Sequence, residues 1–180
     1  MSRSPYFFVE RYDINTEKYE LQHPIVWNYN HTKQVTADLY PYNGSHDLFS
    51  ILEAGGAFCN KEDFPILRGI HNGLPKDVCE DIKKVYDDCS YSIDKNTKII
   101  TPTARWFTYA DMYIYCLEHP KVPDYDAMDE AYEEGKPTEK IMIDTPVLAL
   151  KKRVDAFLEV MDDLSWEDDY SCIRIIYWIL

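Results

Sequence analysis

One run of residues constrains this chain more than any other: Cys172-Ile173-Arg174-Ile175-Ile176-Tyr177-Trp178-Ile179-Leu180. It is β-branched and aromatic, contains no Gly or Pro, and carries a single charge. Apolar residues occupy odd and even positions alike. Successive side chains of a strand point to opposite faces, so this strand needs cover on both. At a sheet edge it would template aggregation, so it belongs inside a sheet. Arg174 is the exception and requires a partner or an edge. The rest of the chain must therefore supply neighbouring strands and helices. The expected fold class is α+β: a mainly antiparallel sheet with the C-terminal strand central and three to four packed helices, in a single domain over 1–180.

The remaining segments can be read in order. Tyr6–Tyr12 and Lys18–Gln22 form a hairpin around the turn residues Asp13-Ile14-Asn15-Thr16-Glu17. A short strand is expected within Ile25–Asn30, then an irregular loop over 31–45. Ser45 caps a short helix over 46–53, stopped by Gly55-Gly56, and a loop follows over 57–74. Pro75 is placed as the first residue of a helix over 76–88, with Val78, Cys79, Ile82 and Val85 as its buried stripe. Ser90–Ile93 and Lys98–Thr101 read as a hairpin. Thr108 and Asp111 form a capping-box pattern that opens a helix over Tyr109–Glu118. Asp144-Thr145-Pro146 starts a helix to about Asp163, with Val147, Leu150, Val154, Phe157, Leu158 and Met161 inward and Lys151, Lys152, Arg153 and Asp155 mostly outward.

Charge narrows the function classes. The chain of 180 residues has a net charge of −13, which opposes direct binding to nucleic acid or an anionic membrane and favours a basic partner. Two segments carry −11 of that total: residues 121–140, an acidic surface insertion, and residues 155–169, which hold seven acids and no Lys or Arg. Carboxylates dense enough to imitate a phosphate backbone would fit a basic groove. The candidate partner-binding residues are Asp124, Asp126, Asp129, Glu130, Glu133, Asp162, Asp163, Glu167, Asp168 and Asp169. Fifteen tyrosines add amphipathic contact surface. Five cysteines without a C-x-x-C pair suit a reduced, cytoplasmic setting, and no signal peptide or membrane span is read.

Catalytic signals are sparse. The acids have no EF-hand spacing, and the histidines have no metal-like spacing, so neither a metal nor a cofactor is expected. Nucleophile-elbow, Walker and dinucleotide fingerprints are missing from the sequence. The alternative site is Arg68-Gly69-Ile70-His71-Asn72-Gly73. There Arg68 would fork a phosphate and His71 would act as general base, with Asn72 beside them in the loop, making a nucleotide-binding protein or hydrolase. The bland reading of the same loop is two glycine turns.

The order of motifs resembles that of uncharacterised small proteins of phages and prophages. It comprises the strand Tyr6-Phe7-Phe8-Val9-Glu10, the helix Asp47-Leu48-Phe49-Ser50-Ile51-Leu52, Arg68-Gly69 followed by Gly73-Leu74-Pro75-Lys76-Asp77-Val78, the helix start Trp106-Phe107-Thr108, and the stretch from Asp168 to Trp178. Members often carry His-x-x-Ser-Trp where this chain has Thr103-Ala104-Arg105-Trp106. The resemblance implies a phage or mobile-element origin and transfers no catalytic residue. The leading expectation is a host-cytoplasmic inhibitor of the anti-CRISPR or anti-restriction kind, acting on a nuclease or CRISPR effector. A phage structural or assembly protein is the third reading.

Overall fold

The computed structural model of the chain describes residues 5–22, 26–27, 33–34, 48, 51–52, 65–89, 103–137, 141–158 and 172–179. In order they form β1 (Pro5–Asp13), β2 (Lys18–Leu21), β3 (Val26–Trp27), β4 (Lys33–Gln34), β5 (His71–Asn72), α1 (Glu80–Cys89), β6 (Arg105–Thr108), α2 (Tyr109–Glu118), β7 (Lys121–Pro123), α3 (Tyr125–Glu133), β8 (Met142–Asp144), α4 (Pro146–Leu158) and β9 (Ile173–Ile179). This is an α+β fold. Its main sheet is antiparallel in the order β2-β1-β9-β6-β5, so the last strand lies at the centre.

The doubly apolar pattern of β9 follows from its two covers. Ile173, Ile175 and Tyr177 join Phe7, Val9 and Phe107 on one face, under α2, α4 and the helical residues Leu48, Ile51 and Leu52. Ile176 and Trp178 join Phe8 on the other, under Ile82, Val85 and Tyr86 of α1. Aromatic pairs tighten both sides. Tyr177 stacks on Phe7 at 5.6 Å and Trp178 on Phe8 at 4.8 Å, while Tyr86 meets Trp178 edge-on at 5.2 Å. The Tyr177 hydroxyl donates to the Leu52 carbonyl at 2.9 Å, so the burial of its ring leaves no orphaned donor.

Arg174 is only 4% exposed and finds the partner it needs. Its Nε donates to Glu10 Oε2 at 2.6 Å, and Glu10 is fully buried (0% exposed) directly opposite it on β1. Its other nitrogens donate to the Asp77 side chain at 2.8 Å and the Asp77 carbonyl at 3.1 Å, and its guanidinium lies 3.4 Å from the centre of the Tyr19 ring. The second Glu10 oxygen accepts from the Cys79 amide at 2.7 Å, just ahead of α1.

That network explains one departure from expectation. α1 starts at Glu80, not near residue 76, and Pro75 heads a turn closed by the Val78 amide on its carbonyl at 3.2 Å. Asp77 is drawn out of helix geometry to meet Arg174. Two other expected loops contain short strands. Lys33–Gln34 pairs with Val26–Trp27, and His71–Asn72 pairs with Trp106 and Arg105 at the sheet edge. The helix over Tyr109–Glu118 and its capping box stand as read: Thr108 Oγ1 accepts from the Asp111 amide at 3.1 Å, and Asp111 accepts from the Thr108 amide at 3.0 Å. The expected hairpin over 90–101 and the stretch after Leu158, including the link over 165–170, lie outside the described residues. No described helix is long and apolar enough to cross a membrane.

Arg174→Met leaves the Glu10 carboxylate buried without its cation, and unfolding stability should fall by about 3–5 kcal/mol. Adding Glu10→Gln should recover most of that loss, because the stranded charge goes. Urea unfolding of the wild type, both single variants and the double variant measures this coupling.

Candidate functional site

The acidic segment over 121–140 is built as a helix carried on a two-stranded ladder. β7 and β8 pair through Val122 and Ile143, and Val122 is fully buried in the main core. The Thr145 amide donates to the Pro120 carbonyl at 3.0 Å, closing the base of the ladder. Asp124 caps α3 by accepting from the Ala127 amide at 3.0 Å, so this candidate residue also has a structural task. At the far end, the Lys136 amide reaches the Ala131 carbonyl at 2.9 Å and the Gly135 amide reaches Tyr132 at 3.0 Å. Gly135 lies at φ +67°. This is a Schellman ending, for which glycine is suited. The arm thus carries a helix of 9 residues.

Its charges work against its own stability. Asp129, Glu130, Glu133 and Glu134 are exposed. Asp129 and Glu133 are four apart, as are Glu130 and Glu134, and like charges at that spacing repel by about 0.2–0.5 kcal/mol a pair. The last turn holds no basic residue, so the acids also oppose the helix dipole. Glu134 alone has a partner among the described residues, the exposed Lys136 ammonium. Tyr132 projects among these acids at 76% exposure. Asp126 lies in the first turn of α3. Asp162, Asp163, Glu167, Asp168 and Asp169 lie outside the described residues.

Asp155, the first acid of the second segment, points elsewhere than expected. It and Lys151 are half-buried: Lys151 Nζ donates to Asp155 Oδ2 at 2.7 Å, and the Tyr109 hydroxyl donates to Asp155 Oδ1 at 2.5 Å. The ammonium also lies 5.3 Å from the Tyr109 ring centre. Burial, reinforced by the Asp155 hydrogen bond, pushes the Tyr109 phenol up to about 12. Burial also pushes the neighbouring Cys116 thiol up to about 11. For Lys151 burial pulls downward, but its hydrogen bonds to Asp155 and Tyr109 outweigh it and the net shift is upward. A phenol and a thiol held protonated and an amine held charged are poor nucleophiles. The group is a latch between α2 and α4.

The alternative ligand loop is divided by the fold. Arg68 is exposed and lines a cleft of about 200 Å³ with Ile66, Asp111, Ile114, Tyr115, Glu118 and His119. His71 and Asn72 do not line it. His71 stacks on Trp106 at 4.0 Å, and Asn72 stands opposite Arg105. Segment 65–73 acts as a strap. Leu67 is buried in the core, Pro65 accepts from the Tyr115 hydroxyl at 2.7 Å, and the Gly73 amide donates to Ala104 at 2.8 Å. Gly69 and Gly73 both lie at φ +84°, supplying the bends. A second cavity of about 510 Å³ lies at the hairpin, lined by Arg11, Tyr12, Asp13, Ile14, Asn15, Glu20, Gln22 and Cys172. Among the described residues, no group of three or more His, Cys, Asp or Glu could hold a metal ion.

No family model, curated protein or solved structure matches the chain. Nothing in these comparisons bears on a phage or mobile-element origin.

Two expected outcomes follow from this geometry. A Cβ at Gly69 would meet the Asp111 carboxylate at 2.5 Å, whereas one at Gly73 would meet nothing within 4 Å. Gly73→Ala should cost about 1–2 kcal/mol, the penalty of a left-handed residue. Gly69→Ala should cost more, because it also dislodges the cap of α2; thermal melts separate the two. The second concerns pH. Cys116 and Tyr109 have ordinary values of 9 and 10, and burial raises the Cys79 thiol from 9 to about 12. The folded state holds these protons where the unfolded state releases them. Their contribution is complete below pH 9 and is lost as pH climbs toward 12. Urea midpoints should fall between pH 9 and 11, and less steeply in Cys79→Ala/Cys116→Ala.

Proposed function

We propose that this protein is a non-enzymatic inhibitor that docks its acidic arm into the basic groove of a nucleic-acid-handling protein. The observation that carries the reading is α3. Asp129, Glu130, Glu133 and Glu134 crowd its C-terminal half against both the helix dipole and one another, around an exposed Tyr132. A merely solvated face has no need of that arrangement, since alternating signs would keep the arm soluble and stabilise the helix. Local rules broken without compensation are expected at functional surfaces. An aromatic ring among acids also matches the anchor-and-rim composition of protein interfaces.

The ladder β7–β8 supports the same reading. It ties the arm to the core through Val122, so little ordering entropy would be lost on docking. Net charge of −13 would speed the approach to a basic surface and repel nucleic acid itself. Asp124 at the N-cap and Asp126 in the first turn of α3 belong to the same acidic segment. Asp162, Asp163, Glu167, Asp168 and Asp169 would add a second block. A counter-defence role of the anti-CRISPR or anti-restriction kind, in the cytoplasm of a host cell, is the form this proposal takes, with a nuclease or CRISPR effector as the target.

The test is a pull-down from bacterial lysate at low and high salt, with wild type and with Asp129→Lys/Glu130→Lys/Glu133→Lys. Wild type should retain a DNA- or RNA-handling protein at low salt and release it at high salt, and the variant should retain none. The variant should melt no lower than wild type: the 129/133 pair stays like-charged, but the 130/134 repulsion becomes an attraction worth about 0.2–0.5 kcal/mol and the last turn gains cations that suit the helix dipole. Undiminished capture by a folded variant would sink the proposal.

A further inference from the structure

Helix α2 carries two apolar stripes, and only one is used by the core. Tyr109, Met112 and Tyr115 face inward and are buried. On the other side, Ala110, Tyr113, Ile114 and Leu117 repeat at i, i+3, i+4 and i+7. Ala110 is half-buried, while Ile114 is 51% and Leu117 65% exposed. Ile66 on the strap, also exposed, continues this surface into the cleft beside Ile114. A surface helix normally has one apolar stripe and a polar back. A second stripe at helical spacing is the pattern a helix shows when another helix packs on it.

We infer that this outer stripe is a docking site for an amphipathic helix with a basic outer face, supplied by a partner protein. Two arguments choose that occupant. The first is area. The exposed parts of Ile66, Tyr113, Ile114 and Leu117 offer on the order of a few hundred Å², whereas each side of a stable complex of folded surfaces buries about 800 Å². The patch suits one helix laid in a groove, and the cleft of about 200 Å³ takes one large apolar side chain from it. The second is charge. The charges beside the stripe are few and slightly negative in sum: Arg68 stands against Asp111 and Glu118 in the cleft, and Lys151 is paired with Asp155. The sign of steering is therefore set by the −13 of the whole chain, which repels a second copy and an anionic bilayer and attracts a basic segment. This site is separate from α3 and does not depend on the groove-blocking role.

The probe is a labelled synthetic peptide of about four helical turns, with leucines at i, i+3, i+4 and i+7 and lysines elsewhere. Its control is the same composition in scrambled order, which keeps the charge and loses the apolar face. Fluorescence anisotropy should show the amphipathic peptide binding about tenfold or more tightly than the scrambled one. Ile114→Asn/Leu117→Asn, neutral changes at exposed positions, should remove that advantage while the circular dichroism spectrum and melting temperature stay as in wild type. The lysine reversals in α3 should weaken both peptides alike and leave their ratio. Equal binding of the two peptides, or a ratio unchanged by the asparagine pair, overturns the inference. So does sedimentation showing self-association that the asparagine pair abolishes, which would make a second copy the occupant.

Discussion

A single buried cation organises the sheet. Arg174 is the second residue of the central strand, where every other side chain from Ile173 to Trp178 is apolar, tyrosine or tryptophan. Its guanidinium is held by Glu10 on β1, by Asp77 ahead of α1 and by the ring of Tyr19 on β2. Glu10 in turn holds the Cys79 amide. Three regions distant in sequence, the first hairpin, the turn before α1 and the last strand, thus meet around one charge. Buried ion pairs add little net stability, because desolvation offsets the attraction. The consequence here is register. A one-residue slip of β1 against β9 would turn Glu10 to the opposite, apolar face and strand both charges. The same network ends the turn at Pro75 and starts α1 at Glu80.

With register set, the two faces of the sheet divide the labour. α1 closes one face and makes few demands beyond Ile82, Val85 and Tyr86. The other face is covered by α2 and α4, and α2 leads directly into β7 and the arm. Local rules are obeyed toward the core, in the Thr108–Asp111 capping box and the latch of Lys151, Asp155 and Tyr109. The rules are broken outward, where α3 stacks acids at its C-terminal end and α2 keeps a second apolar stripe. That division, consistent inside and inconsistent outside, is what the proposed binding role rests on.

Parts of this architecture were legible in the sequence. The capping box and the proline that opens α4 were readable because helix starts are set by residues within one turn. The hairpin was readable from the polar turn between two β-rich runs. The need of Arg174 for a partner was readable from its neighbours, though the identity of that partner was not. Pro75 misled because proline suits both a first helical turn and a tight turn, and only the pull of Arg174 on Asp77 decided between them. His71 and Asn72 looked like loop chemistry because a two-residue strand is too short to show alternation. Lys151 and Asp155 looked outward because a charged pair at i,i+4 reads the same on a solvated face and in a helix–helix seam.

The sequence by itself determined the centrality of the last strand, the two-sided cover it needs and the concentration of negative charge, since these depend on composition and short-range periodicity. Tertiary structure alone decided which acids do structural work and which face solvent. Glu10 and Asp77 are spent on Arg174 and Asp155 on the Tyr109 hydroxyl, while Asp129, Glu130 and Glu133 face solvent. Long-range pairing assigns those roles, and a carboxylate carries no mark in the chain of the distant donor that will meet it.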